Sequence, residues 1–232
     1  MYMRLKAILT AFVAVLSVSG LNAQDTKELV AEVKTHLETS MKQLRTYEWL
    51  ETTVVYKDGE EKSRKQSRCY YGVDGKLYKV PTGAETQDKA PKGLRGKIAE
   101  NKKEEITDYI ESCVKKVHEY MPPKPEVIQA AYAGGRMAMQ VVEPNKRFQL
   151  TFSDYLQKGD ALGIGLNKEK KILTNVDVKS YVDKPEQAVN FHLNYGLLPD
   201  GTQYPMETIL DMPSKGLKIN IKNEGYKKST QN

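Results

Sequence analysis

The chain has 232 residues, of which 39% are hydrophobic and 28% charged, with 16 Gly and 10 Pro. Those proportions exclude a collagen-like or low-complexity polymer and describe an ordinary globular chain. The formal net charge is +6, yet basic and acidic residues alternate through stretches such as Lys57-Asp58-Gly59-Glu60-Glu61-Lys62, the pattern of a solvated face. A nucleic acid would need a clustered basic surface, so no nucleic-acid partner is expected.

The N-terminus carries Arg4 and Lys6, then an apolar run over residues 7–18, then small and polar residues up to Leu21-Asn22-Ala23. This is the pattern of a secretory signal peptide over residues 1–23, cleaved near Ala23. Ser17, Ser19, Gly20 and Asn22 make the second half too polar for a membrane anchor, and Gln24, not a cysteine, would open the mature chain. The expectation is a mature protein free in the periplasm or secreted, with no integral membrane span and 34 basic against 30 acidic residues. Residues 24–232 contain no Pro/Gly/Ser linker and are expected to form one domain.

Residues 25–44 place Leu29, Val33, Leu37, Met41 and Leu44 on helical spacing behind an Asp-Thr capping signal, predicting an amphipathic helix. From Tyr47 to Tyr56 the chain is β-branched and aromatic, and Lys57-Asp58-Gly59 turns it into a partner strand over 62–72. Asp74-Gly75 leads to a short third strand over 76–80. After a polar loop, Ile98, Ile106, Tyr109, Ile110, Cys113, Val117 and Tyr120 mark a helical insertion at about 91–133, interrupted at Pro122-Pro123 and ending at Gly134-Gly135. Strict alternation follows in Phe148/Leu150/Phe152, Leu162/Ile164/Leu166, Val189/Phe191/Leu193/Tyr195 and Leu217/Ile219/Ile221, each strand burying one face. The reading is an α+β chain of about ten antiparallel strands, curled into a half-open barrel covered by helices.

Catalytic motifs are sparse. The three histidines, His36, His118 and His192, read as exposed helix and strand positions, and Asp74, Asp160 and Asp200 have turn-forming explanations. No enzyme activity, metal or cofactor is expected. Cys69 and Cys113 admit two readings: a disulfide stapling the insertion to the sheet, or two small buried hydrophobes. Aromatic residues crowd the first strands (Tyr47, Trp49, Tyr56, Tyr70, Tyr71, Tyr78), and a curved sheet under a helical insertion can enclose an apolar pocket. The same side chains would equally fill a core. The faces of the first strand stay undecided, because Trp49/Val55 and Leu50/Val54 are both apolar.

The order of elements resembles the LolA/LolB superfamily of periplasmic lipoprotein carriers. The shared features are the signal peptide, the N-terminal helix, the aromatic hairpin from Tyr47-Glu48-Trp49, the helical insertion, and a late meander ending in Pro199-Asp200-Gly201-Thr202-Gln203-Tyr204-Pro205 and Gly216-Leu217-Lys218-Ile219-Asn220-Ile221. The resemblance implies a half-open barrel that holds a lipid, or the acyl chains of a lipoprotein, between sheet and helices. Trp49, Leu50, Tyr71, Leu77, Ile98, Ile106, Tyr109, Ile110, Phe152 and Ile164 are then the candidate lining. The long charged insertion over 93–120 departs from the carriers, and the same fold serves sensors that bind an envelope protein, with a filled core. That is the second expectation.

Overall fold

The computed structural model describes residues 23–83, 86–87 and 94–229, without the side chains of 23–30, 86–87, 94–103 and 125. The segment read as a signal peptide, apart from the backbone of Ala23, lies outside the described residues, as does the side chain of Ile98.

The first helix, α1 (Ala23–Leu44), leads into the hairpin β1 (Tyr47–Lys57) and β2 (Glu60–Tyr71), followed by β3 (Leu77–Pro81) and the two-residue β4 (Thr86–Gln87). The insertion forms α2 (Leu94–Glu119) and α3 (Pro125–Ala133), the latter with proline in its first turn, where no backbone N–H is needed. Its expected left-handed terminus falls on Gly135 (φ +66°), because Gly134 stays at φ −84° and still donates to the helix carbonyls. Seven strands complete the chain: β5 (Met137–Glu143), β6 (Arg147–Ser153), β7 (Ala161–Asn167), β8 (Ile172–Tyr181), β9 (Ala188–Leu197), β10 (Gln203–Met212) and β11 (Leu217–Lys228).

Ten strands form one antiparallel path, β3-β2-β1-β11-β10-β9-β8-β7-β6-β5, with β4 added beside β2. The last strand pairs with the first, so the aromatic hairpin continues the meander. β3 and β5 remain the two ends, and the barrel stays open. The two-residue β4 escaped the sequence reading because so short a pairing leaves no alternation.

Antiparallel register carries side chains of one face into continuous rows across the sheet. One row runs Val55, Ile219, Leu210, Phe191, Val178, Leu162, Phe152 and Met137. The next runs Thr53, Ile221, Thr208, Leu193, Val176, Ile164, Leu150 and Met139. The three helices of the described residues pack on this inner face: α1 on β8 and β10, α2 on β8 and β9, α3 on β6. Their buried stripes are Val33, Leu37 and Leu44 on α1, Cys113, Val117 and Tyr120 on α2, and Ile128 and Ala131 on α3.

On the outer face the alternation of β7 places Gly163 and Gly165 opposite Asp177 and Asn175. A Cβ on Gly165 would come within 1.9 Å of the Asn175 side-chain oxygen. The space accommodates a polar network in which Asp177 accepts from Asn175 Nδ2 (2.6 Å) and Gln149 Nε2 (3.3 Å) and pairs with His192 Nδ1. This network occupies His192, the polar strand histidine of the sequence.

Candidate functional site: the inner face of the open sheet

Along both inner rows burial is complete over the middle strands and falls at the two ends, where Met137 and Met139 on β5 are partly buried. Over β6 to β8 the side chains are sealed: Leu150, Phe152, Leu162 and Val178 are fully buried and Ile164 nearly so. Past β10 the helical cover thins, and Thr208 on β10, Ile219 and Ile221 on β11 and Thr53 and Val55 on β1 are all half-accessible. On the helical side Ile106, Tyr109 and Ile110 of α2 are also only partly buried against the main core, and Tyr109 reaches Ser214 between β10 and β11. Two apolar surfaces, one on the sheet and one on a helix, thus keep accessible area within a concave fold.

The ten candidate lining residues do not form one constellation. Phe152 and Ile164 lie in the sealed part of the core, and Ile106, Tyr109 and Ile110 sit at the half-accessible side of the same cluster. Trp49, Tyr71 and Leu77 instead form a second cluster with Cys69 and Tyr226. The indole of Trp49 stacks on Tyr226 at 5.4 Å and 13°, and its Nε1 donates to Asn223 Oδ1 at 2.9 Å. Leu50 points the other way, because the residues of β1 that pair with the inner positions of β11 are Thr53, Val55 and Lys57. The ambiguity of the first strand is therefore resolved with Trp49 and Val55 inward and Leu50 and Val54 outward.

A polar row separates the two clusters. Glu51 pairs in register with Ser67 and Asn223 and is bonded by Lys79 at 2.6 Å. Ser67 and Asn223 are buried, and Asn223 Nδ2 donates to the Pro205 carbonyl at 3.0 Å. Trp49 and Tyr71 belong to the aromatic concentration of the first strands, with apolar Leu77 beside them. Alternation in β11 marks Ile219 and Ile221, whereas β1 is apolar on both faces, and Val55 is fixed as an inner residue only by its pairing with Ile219, which is not visible in the sequence.

Cys69 and Cys113 are free and fully buried, one in each cluster. They are not bridged, since the first hairpin and α2 contribute to different clusters. Burial pushes the Cys69 thiol up to about 11 and raises that of Cys113 as well. The insertion is held without a covalent staple. At its C-terminal end Tyr120 donates to buried Asp160 at 2.5 Å and contacts Ser180 Oγ at 2.7 Å. At residues 105–109 it is held by surface contacts, Tyr109 to Ser214 at 2.9 Å and Lys215 to Glu105 at 2.9 Å.

α1 is tied to the start of β10. Ser40 Oγ accepts from the backbone of Gln203 at 2.9 Å, and Gln43 Oε1 accepts from Thr202 at 2.9 Å. His36 was expected on an exposed helix face, but its Nε2 is buried without a hydrogen-bond partner. The three turn carboxylates do serve their turns: Asp74 accepts from Lys76 N, Asp160 from the backbone of residues 155–157, and Asp200 from Thr202 N. Among the described residues no group of three His, Cys, Asp or Glu side chains could hold a metal, and no helix is long and apolar enough to cross a membrane.

Among solved structures the chain is similar to a DUF1329 family protein from Desulfovibrio piger ATCC 29098, at 10% identity and TM-score 0.31, over 86% of this chain and 94% of that one. It is also similar to a LolA superfamily protein from Nitrosomonas europaea, at 10% identity and TM-score 0.33, over 85% and 93%. No protein-family model matches the sequence, and no curated protein aligns with it. At this identity and superposition the two structures supply no residue correspondence.

Proposed function

We propose that the protein is an exported, non-enzymatic carrier of a lipid, or of the acyl group of a lipoprotein, formed by a single domain over residues 24–232. The acyl chain lies in the trough between β10, β11, β1 and α2. The observation that carries this reading is the burial gradient along the two inner rows, from sealed at Phe152 and Leu150 to half-accessible at Ile219 and Ile221. The lining is then Thr53, Val55, Ile219 and Ile221 on the sheet together with Ile106 and Ile110 on α2. Burying ten methylenes at about 0.8 kcal/mol each supplies about 8 kcal/mol gross, which corresponds to micromolar affinity before ordering costs.

The test is titration of delipidated protein with a fluorescent fatty-acid probe. Saturable micromolar binding is expected, and Ile219→Glu should weaken it at least tenfold while leaving the far-UV circular dichroism unchanged. Absence of saturable binding to the wild-type protein would reject the carrier reading. The second reading, a module that binds an envelope protein, is favoured by one separate feature. Val141 and Val142, each about half exposed, stand on β5, the uncovered end of the sheet.

A further inference from the structure

The polar row bordering the trough continues onto β10 and β9, where Pro205 pairs with Tyr195. Tyr195 follows Val189, Phe191 and Leu193 on the inner face of β9. The residue is half-buried, and its hydroxyl has no hydrogen-bond partner among the described residues. Burial alone holds this phenol above the usual tyrosine range. Tyr195 stands on the inner face of β9, so its accessible area belongs to the concave side of the sheet, not to the outer surface.

The local backbone makes room for that recess. Pairing of β8 with β9 stops at Asn175 and Asn194, and β8 bulges at the same place, between its pairings with Gly165 and Leu166. Residues 172–173 then pair with β7 alone, and residues 196–197 with β10 alone. Gln203 spans this opening from β10. Its Nε2 donates to the Leu173 carbonyl at 2.8 Å, its backbone is held by Ser40 of α1, and its side chain is 1% exposed, yet Oε1 has no partner. Gln203 and Tyr195 occupy adjacent positions on the inner face of neighbouring strands, a diagonal spacing of about 7–8 Å that long side chains bridge.

A buried carboxamide oxygen without a partner is costly unless something hydrogen-bonds it, and the unpaired, accessible Tyr195 hydroxyl lies on the same inner face one diagonal step away. We propose that the recess under α1, between Tyr195 and Gln203, takes the uncharged hydrogen-bonding end of a single-chain amphiphile whose hydrocarbon lies in the trough. The inference rests on the carrier reading above and specifies its ligand class. Gln203 Oε1 can only accept, and Tyr195 offers one donor and an acceptor. Neither residue carries a charge. The fit is therefore to a hydroxyl or an amide N–H, and an ionised carboxylate is disfavoured because it would meet a carboxamide oxygen it cannot bond and no cation on either residue.

The test is displacement of the fluorescent fatty-acid probe by dodecanol and by laurate of equal chain length at pH 8, in wild type, Tyr195→Phe and Gln203→Leu. Wild type should prefer dodecanol by roughly fivefold or more, the worth of one buried hydrogen bond. Tyr195→Phe should cut that preference at least threefold while leaving laurate affinity within twofold. Gln203→Leu should do the same if it folds, and Tyr195→Phe decides the matter if it does not. Equal affinity of wild type for the two competitors, or a preference unchanged in Tyr195→Phe, would overturn the recess while leaving the carrier reading intact. Failure of the wild type to bind the probe at all would count against the carrier reading itself.

Discussion

Removing one hydroxyl at Tyr120 should loosen the anchored end of the helical insertion by a predictable amount. Tyr120 is fully buried, and its hydroxyl lies within a chain of side chains on three elements. Gln157 Nε2 donates to Ser180 Oγ at 3.1 Å, Ser180 lies 2.7 Å from the Tyr120 hydroxyl, and Tyr120 donates to Asp160. In Tyr120→Phe the ring and its packing on Tyr155 remain, but Ser180 and one lone pair of a buried carboxylate lose their partner. Asp160 Oδ2 retains Leu156 N at 3.0 Å and Gln157 N at 2.9 Å, so the site is weakened, not abolished. A hydrogen bond to a charged acceptor is worth about 1.5–3 kcal/mol. For a chain of this size that corresponds to a fall in melting midpoint of about 4–8 °C. Differential scanning calorimetry at pH 7 reads it directly, with Tyr78→Phe as a control, because Tyr78 is exposed and bonds only surface Asp74. The control should lie within about 0.5 kcal/mol of wild type. Equal small effects from both variants would refute the assignment of Tyr120 as the anchor of α2.

The remaining expectations concern the thiols, the phenols and the tryptophan. At pH 8 neither Cys69 nor Cys113 should react with a disulfide reagent within minutes in the native protein, and two thiols should appear on denaturation. One fast native thiol, or none after unfolding, would contradict the two free buried sites. Burial pushes Tyr71 and Tyr155 up to about 12 and Cys69 up to about 11. The native state thus favours their protonated forms, while the unfolded chain ionises near its ordinary values, about 10 for Tyr and 8.5 for Cys. Their stabilising share is complete below about pH 8.5 and lost as pH rises towards 12; melting scans at pH 7, 9 and 10.5 should fall accordingly, less steeply in Tyr71→Phe. Trp49, sealed against Tyr226 beyond the polar row, should emit as a buried indole and change little when the trough fills. A large ligand-induced shift would move the site to the first hairpin.

Much of this organisation is legible in the residues. Strands that bury one face announce themselves by alternation, which is why β6, β7, β9 and β11 and the inward direction of Tyr195 follow from the sequence, while β1 shows only as a β-branched and aromatic run. Helical spacing marks α1 and α2 in the same way, and the prolines at 122–123 and 125 separate α2 from α3. Pairing between distant strands leaves no such mark. The meeting of β1 with β11 sets Val55 beside Ile219, divides Trp49 from Ile106 by the row of Glu51, Ser67 and Asn223, and places Cys69 and Cys113 in different clusters. Nor does alternation reveal where two strands part, and the opening between β8 and β9 that Gln203 spans is a property of the bulge at residues 174–175.

The central claim is that a hydrocarbon chain occupies the half-accessible inner face of β10, β11 and β1. Photocrosslinking with a fatty acid bearing a diazirine near its methyl end, followed by peptide mapping, tests it most directly. Saturable labelling is predicted on peptides containing Thr53 and Val55, Ile219 and Ile221, or Ile106 and Ile110. Labelling confined to the outer face or to the β5 edge at Val141 and Val142, or labelling that a hundredfold excess of unlabelled fatty acid fails to suppress, would contradict it.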